Sequence, residues 1–110
     1  MTGTVLVTGA AGRIGSWLRA GLPELGWAVR GLDVARVTDA RPGEENRVAD
    51  ATDPDAVLSA ATGATALVHL AGIATESTWA AIEHSQLEST HVALEAARRA
   101  ASCRSARRRR

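Results

Sequence analysis

Gly9, Gly12 and Gly15 stand at three-residue spacing, directly behind the β-branched run Thr4-Val5-Leu6-Val7-Thr8 and directly ahead of a helix-periodic segment. The chemistry of such a junction is anion binding. A turn free of bulky side chains lets a phosphate approach the main chain, and a helix N-terminus offers unpaired N–H groups and positive dipole. Gly9 makes the turn, Gly12 lets the backbone reach a pyrophosphate, and Gly15 lets helix and strand pack closely. A second chemical feature is Asp33, which ends the next apolar run, Trp27 to Leu32, where a carboxylate meets the hydroxyls of an adenosine ribose. Phosphate turn and ribose acid together imply a dinucleotide.

Other chemistry is sparse. Cys103 is the only cysteine, which excludes an intramolecular disulfide and a cysteine-based zinc site, and no metal-ligand spacing is present. His69 sits inside the apolar run Thr65 to Gly72, a placement that suits a hydrogen-bonded structural histidine better than a catalytic base. Arg36 and Arg41 follow Asp33 and could neutralise a 2′-phosphate, but Asp33 would repel that phosphate, so NAD is favoured over NADP. No catalytic residue is assigned.

The elements that must hold these groups follow in order. A first strand enters the glycine turn, and a helix follows on which Ile14, Leu18 and Leu22 share one face. A second strand ends at Asp33. Val34 to Glu45, broken by Pro42-Gly43, reads as an exposed loop. Arg47 to Asp50 forms a short strand, and Asp53 caps a helix with Pro54 at its first position. Asp50 thereby lies at the carboxyl end of a strand, where open parallel sheets place their ligands. Thr65 to Gly72 has the near-continuous apolarity of a central parallel strand buried on both faces. Thr75 to Thr78 is a polar loop, and Trp79, Ile82, Gln86, Thr90, Leu94 and Ala97 mark the buried face of one helix running to about Ala101.

The class is therefore α/β, a Rossmann-like three-layer α/β/α arrangement with a parallel sheet of about four strands and their helices, contained in residues 1–101. Residues 102–110, with Arg104 and Arg107 to Arg110, lack apolar periodicity and read as a disordered tail. All thirteen basic residues are Arg, and eight of them face twelve acids up to Cys103, so the body is acidic and the end basic. Without interleaved aromatic residues or a basic body, that end does not make a nucleic-acid site. No stretch approaches membrane-spanning length and no leader is recognisable, so a cytoplasmic protein is expected.

Thr8-Gly9-Ala10-Ala11-Gly12-Arg13-Ile14-Gly15 resembles the NAD-dependent epimerase/dehydratase family, the extended short-chain dehydrogenases/reductases. Leu67-Val68-His69-Leu70-Ala71-Gly72 fits the fourth strand of that family. Gln86 to Arg98 fits its following helix, with Gln86 where the family carries Asn and Ser89 where it carries Gly. The run Ala71 to Trp79 resembles the uronate-dehydrogenase-like branch. The resemblance implies cofactor contacts from Gly9, Ala11, Gly12, Arg13, Ile14 and Gly15 in the turn, and from Asp33 and Val34 beside the ribose. It adds Asp50 and Ala51 at the adenine, and Leu70, Ala71 and Gly72 along the ribose and pyrophosphate.

The same resemblance implies a later strand bearing Ser or Thr and a Tyr-x-x-x-Lys pair that transfers the proton. The chain contains no Tyr and no Lys. It reads as the cofactor-binding half of the family fold, truncated or frame-shifted at its Arg-rich end, with a sugar-type substrate only if a C-terminal half completes it. The alternative is a stand-alone nucleotide-binding module. A half sheet with an exposed edge and an uncovered apolar face is expected to dimerise or aggregate, and a homodimer of two halves could imitate the complete fold.

Overall fold

The computed structural model describes residues 3–72 and 78–108, with the backbone alone over residues 102–108. Four parallel strands, β1 (Gly3–Thr8), β2 (Trp27–Asp33), β3 (Glu45–Val48) and β4 (Ala66–His69), form one sheet in the order β3-β2-β1-β4. Register pairs Val5 with Val29 and Thr8 with His69. The chain steps outward through β2 and β3, then returns to the other side of β1, so the strand order reverses between β1 and β4. Ligands in open α/β sheets bind in the crevice outside such a reversal.

Side chains of β1 alternate between two cores, as the strand period of two requires. Val5 and Val7, with Val29 and Ala10, pack under Leu18 and Leu22 of α1 (Arg13–Gly21) and the turn that follows it. Leu6 and Leu32 point to the opposite face, against Val57, Ala60 and Ala61 of α2 (Pro54–Ala61) and Val92, Ala96 and Ala100 of α4 (Ser89–Arg108). The result is the three-layer Rossmann-like arrangement that the sequence implies. Asp53 caps α2 through its side chain, accepting from the N–H groups of Asp55 and Ala56 at 3.1 and 3.3 Å, with Pro54 at the first position. At the other end of α2, Arg30 of β2 donates to the carbonyls of Ala60 and Thr62, satisfying acceptors that a helix end leaves open.

Four expectations change. β4 is not central: among the described residues it pairs with β1 alone, so Ala66 is exposed and Leu67 to His69 are only half-buried. β3 lies two residues earlier than expected, which leaves Asp50 in the turn beyond it. The segment after Thr78 is not one uniform helix. It comprises α3 (Trp79–Ile82), a wide π-helical stretch over Glu83–Glu88, and α4. Its buried face carries Ser89, Val92, Ala93, Ala96 and Ala100, while Trp79 and Leu94 are 73% and 67% exposed. On that face Ala96 and Ala100 pack in one cluster with Val57, Ala60 and Ala61 of α2, so apolarity alone marks the wrong face. Finally, α4 continues through Arg108, where the sequence predicts a disordered tail from residue 102. Ala and Arg are strong helix formers, so a helix anchored by packed turns up to Ala100 continues through this segment. Thr75 to Ser77 of the expected polar loop lie outside the described residues, and Thr78 caps α3, its hydroxyl accepting from the Ala81 N–H.

Candidate dinucleotide-binding site

Gly9 adopts φ 73°, the left-handed region open to glycine, and turns the chain out of β1. Its N–H donates to the Leu32 carbonyl at 2.9 Å, and its own carbonyl accepts from Gly12 at 3.1 Å. A Cβ on Gly9 would lie 2.8 Å from the Leu70 carbonyl carbon, and one on Gly15 would lie 2.8 Å from the Ala10 Cα. The protein's own packing therefore demands glycine at both positions. Gly12 differs. Its backbone is ordinary (φ −76°, ψ 178°), and a Cβ there meets only the Gly9 carbonyl oxygen, at 3.3 Å. The space in front of Gly12 belongs to the cleft.

The first hydrogen bond of α1 runs from the Ser16 N–H to the Gly12 carbonyl at 2.8 Å, so the N–H groups of Arg13, Ile14 and Gly15 have no acceptor within the helix. No side chain caps this end. An uncapped helix start behind an open glycine suits a phosphate in both hydrogen bonding and dipole sign. Asp33 stands beside it with both oxygens fixed, Oδ2 accepting from the Ala11 N–H and Oδ1 from the Ala35 N–H, each at 2.9 Å. Each oxygen keeps lone-pair capacity for a hydroxyl donor.

These groups border one cleft of about 650 Å³ at the carboxyl ends of the strands. Gly9, Gly12, Arg13, Ile14, Gly15, Asp33, Val34, Asp50, Ala51, Leu70, Ala71 and Gly72 all line it. Ile14, read from sequence as part of the packed face of α1, is instead 54% exposed over this cleft. Ala11 does not line it, since its N–H is taken by Asp33. Asp50 accepts from the Thr52 N–H and hydroxyl, and these bonds hold its carboxyl below the usual range. Sequence reasoning missed the wall formed by Ala81 of α3, His84 and Ser85 of the π-helical stretch, and Ser89 of α4, because the stretch that turns α3 into α4 has no periodic signature. It also missed Arg19, which is 2% exposed under the turn and donates to the Ala10 carbonyl, to Glu44 and to Asp39.

His69 lies behind the cleft. The Thr8 hydroxyl accepts from the N–H groups of Leu70 and Ala71, so its single proton goes to His69 Nδ1 at 2.6 Å. Nε2 then carries the ring proton and donates to the Ser89 hydroxyl at 3.2 Å, which donates onward to the Ser85 carbonyl. Both ring nitrogens are thus used within the fold, and the imidazole is structural. Burial pushes His69 below its ordinary value. An unfolded histidine takes its proton at about 6.5 and the folded one at lower pH, so the stability of the neutral form is complete above about 6.5 and is lost as pH falls below it. In an NMR titration His69 is expected to protonate below that value; protonation at or above it would show that burial does not hold the ring neutral.

The sequence profile of the NAD dependent epimerase/dehydratase family matches residues 5–107. A mutant uronate dehydrogenase from Agrobacterium tumefaciens, complexed with NAD, superposes with a TM-score of 0.80 at 33% identity, over 89% of this chain and 37% of that one. Glucuronic acid dehydrogenase from Chromohalobacter salexigens gives 0.81 at 33% identity, over 90% and 37%. MoeE5, in complex with UDP-glucuronic acid and NAD, gives 0.80 at 25% identity, over 89% and 33%. A comparison with curated proteins finds no match. The chain thus spans little more than a third of the length of these solved relatives. No helix among the described residues is long and apolar enough to cross a membrane.

Proposed function

The chain belongs to the NAD-dependent epimerase/dehydratase family, and on that premise we propose that it is the cofactor-binding portion of an oxidoreductase acting on a sugar, sugar acid or nucleotide sugar, with NAD seated in the cleft at Gly12. In this reading the N–H groups at the start of α1 receive the pyrophosphate, Asp33 accepts from the adenosine ribose, and Asp50 with Ala51 flanks the adenine. Leu70, Ala71 and Gly72 border the ribose and pyrophosphate on the β4 side. Bound NAD supplies a hydride acceptor for a carbon that carries a hydroxyl. The observation that carries the reading is Gly12, a glycine that neither backbone conformation nor packing requires and that faces the cleft beside an uncapped helix. Fixed at the end of β2, the negative Asp33 disfavours a 2′-phosphate and so supports NAD over NADP.

A second reading rests on composition. With no Tyr and no Lys, the chain lacks the groups that the family uses for proton transfer, so alone it binds the dinucleotide without turning over a substrate. The side of β4 that no strand pairs with among the described residues supports self-association in that state. Calorimetric titration of the 110-residue chain with NAD and NADP, beside a Gly12→Val/Asp33→Ala variant, tests both readings. Saturable NAD binding, weaker NADP binding and loss of both in the variant are expected. A folded chain that takes up no NAD overturns the cofactor site.

A further inference from the structure

We propose that Arg19 is a positioning residue for the adenosine diphosphate half of the cofactor, closing a ring of hydrogen bonds that sets the distance between the phosphate turn and Asp33. The inference rests on the cofactor reading above. Ala10, at the middle of the turn, is fully buried, and its carbonyl needs a partner. Arg19 Nε supplies one at 2.9 Å. The guanidinium is itself buried and cannot stand without counter-charge. It reaches Glu44 through Nη1 at 2.9 Å and Asp39 through Nη2 at 2.8 Å.

Those two carboxylates belong to the loop that leaves β2 after Asp33. Glu44, its side chain only 4% exposed, is fixed further by the Arg41 N–H at 2.9 Å and by Asn46 Nδ2 at 3.0 Å. The near end of the loop returns to the turn through Asp33, whose Oδ2 holds the Ala11 N–H. The path from Ala10 through Arg19, Glu44, the loop and Asp33 back to Ala11 is therefore closed. Opening it at Arg19 leaves the β2 end tied to the turn through the Ala11–Asp33 hydrogen bond and the Leu32 carbonyl, without the brace from the far end of the loop. The spacing of ribose carboxylate and phosphate donors is then less tightly set. Ligands that span both groups lose affinity, and a ligand that reaches only the phosphate donors does not.

The test uses NAD, ADP and nicotinamide mononucleotide, titrated into the full chain, Arg19→Lys, and Arg19→Met/Glu44→Gln at a temperature where circular dichroism shows each folded. The double variant leaves no unpaired buried charge, and the amide introduced by Glu44→Gln keeps its oxygen for the Arg41 N–H while its NH2 faces Asn46, whose Oδ1 is without a partner and can turn to accept. Its affinities for NAD and ADP are expected to fall together by about tenfold, the equivalent of one net hydrogen bond, with the mononucleotide unchanged. Arg19→Lys keeps the charge opposite Glu44 without the three-way fork and is expected to fall in the same direction. Folded variants that bind NAD and ADP as the wild type does overturn the role of Arg19. A wild-type chain that binds neither overturns the cofactor reading, and this inference with it.

Discussion

Arg19→Met alone is expected to destabilise the chain by about 3–5 kcal/mol, the usual consequence of removing one partner from a buried ion pair. Set against the roughly 5–15 kcal/mol that holds a domain of this kind together, the loss is large enough to show in a single urea melt. The cause lies mainly in what is left behind. Glu44 stays buried next to the β2–β3 strand pair, and the Ala10 carbonyl loses its donor. Adding Glu44→Gln removes the stranded charge and is expected to recover much of the stability. The pH dependence separates this account from simple loss of packing. In the wild type, burial pushes the Glu44 carboxyl up, but hydrogen bonds from Arg41, Asn46 and Arg19 outweigh it and hold the group below its ordinary value. Its contribution is therefore present above the unfolded value of about 4.3 and is lost as pH falls. Without Arg19 its hydrogen bond and its charge no longer oppose burial, so the carboxylate contributes less at neutral pH and less is lost on protonation. The gap between wild type and Arg19→Met should narrow on acidification. A gap that stays constant from neutral pH to pH ~4, near the unfolded value, would assign the loss to packing.

The contrast between Arg19 and the glycines shows what a sequence displays. The glycine turn is local: strand, turn and helix start lie within Gly3 to Gly21, and each residue's type matches its backbone task. The Asp53-Pro54 cap is legible for the same reason. Arg19 is not local. Its partners lie in a loop beyond β2, and a lone arginine next to Leu18 reads as a solvated charge until the fold brings Glu44 against it. The same limit explains Leu94 and Ala96. Periodicity counts apolarity, whereas the fit of α4 on α2 depends on how closely two backbones approach, which favours the smaller residue. β4 carries the residues of a strand covered on both faces, but coverage is supplied by neighbours, and among the described residues β1 is the only strand beside it. Most of the cleft is legible because it is built from strand ends and the turn. The Ala81–Ser89 wall is not, because a π-helical stretch sets how α3 and α4 present it.

Gly9→Ala and Gly12→Ala, two identical changes three residues apart, are expected to have opposite signatures. At Gly9 an alanine must hold φ 73°, which costs about 1–2 kcal/mol for an L residue. Its Cβ must also displace the Leu70–Ala71 backbone, at 2.8–2.9 Å, where overpacking adds about 1–3 kcal/mol. The obstacle is main chain and cannot rotate away, so β4 has to shift together with the cleft wall that it leads into. Thermal melts of Gly9→Ala should therefore show a large loss of stability, accompanied by loss of NAD binding. At Gly12 the backbone already suits alanine, and only the Gly9 carbonyl must give by a few tenths of an ångström. Stability should fall by no more than about 1 kcal/mol, the range of an alanine at an N-cap, while the methyl group occupies the space that a phosphate needs and binding falls. If Gly12→Ala melts as low as Gly9→Ala, Gly12 is a packing residue and the argument that its open space is reserved for a ligand fails. A Gly12→Ala chain with wild-type stability and weakened NAD binding isolates the glycine as a binding feature, which no contact within the fold accounts for.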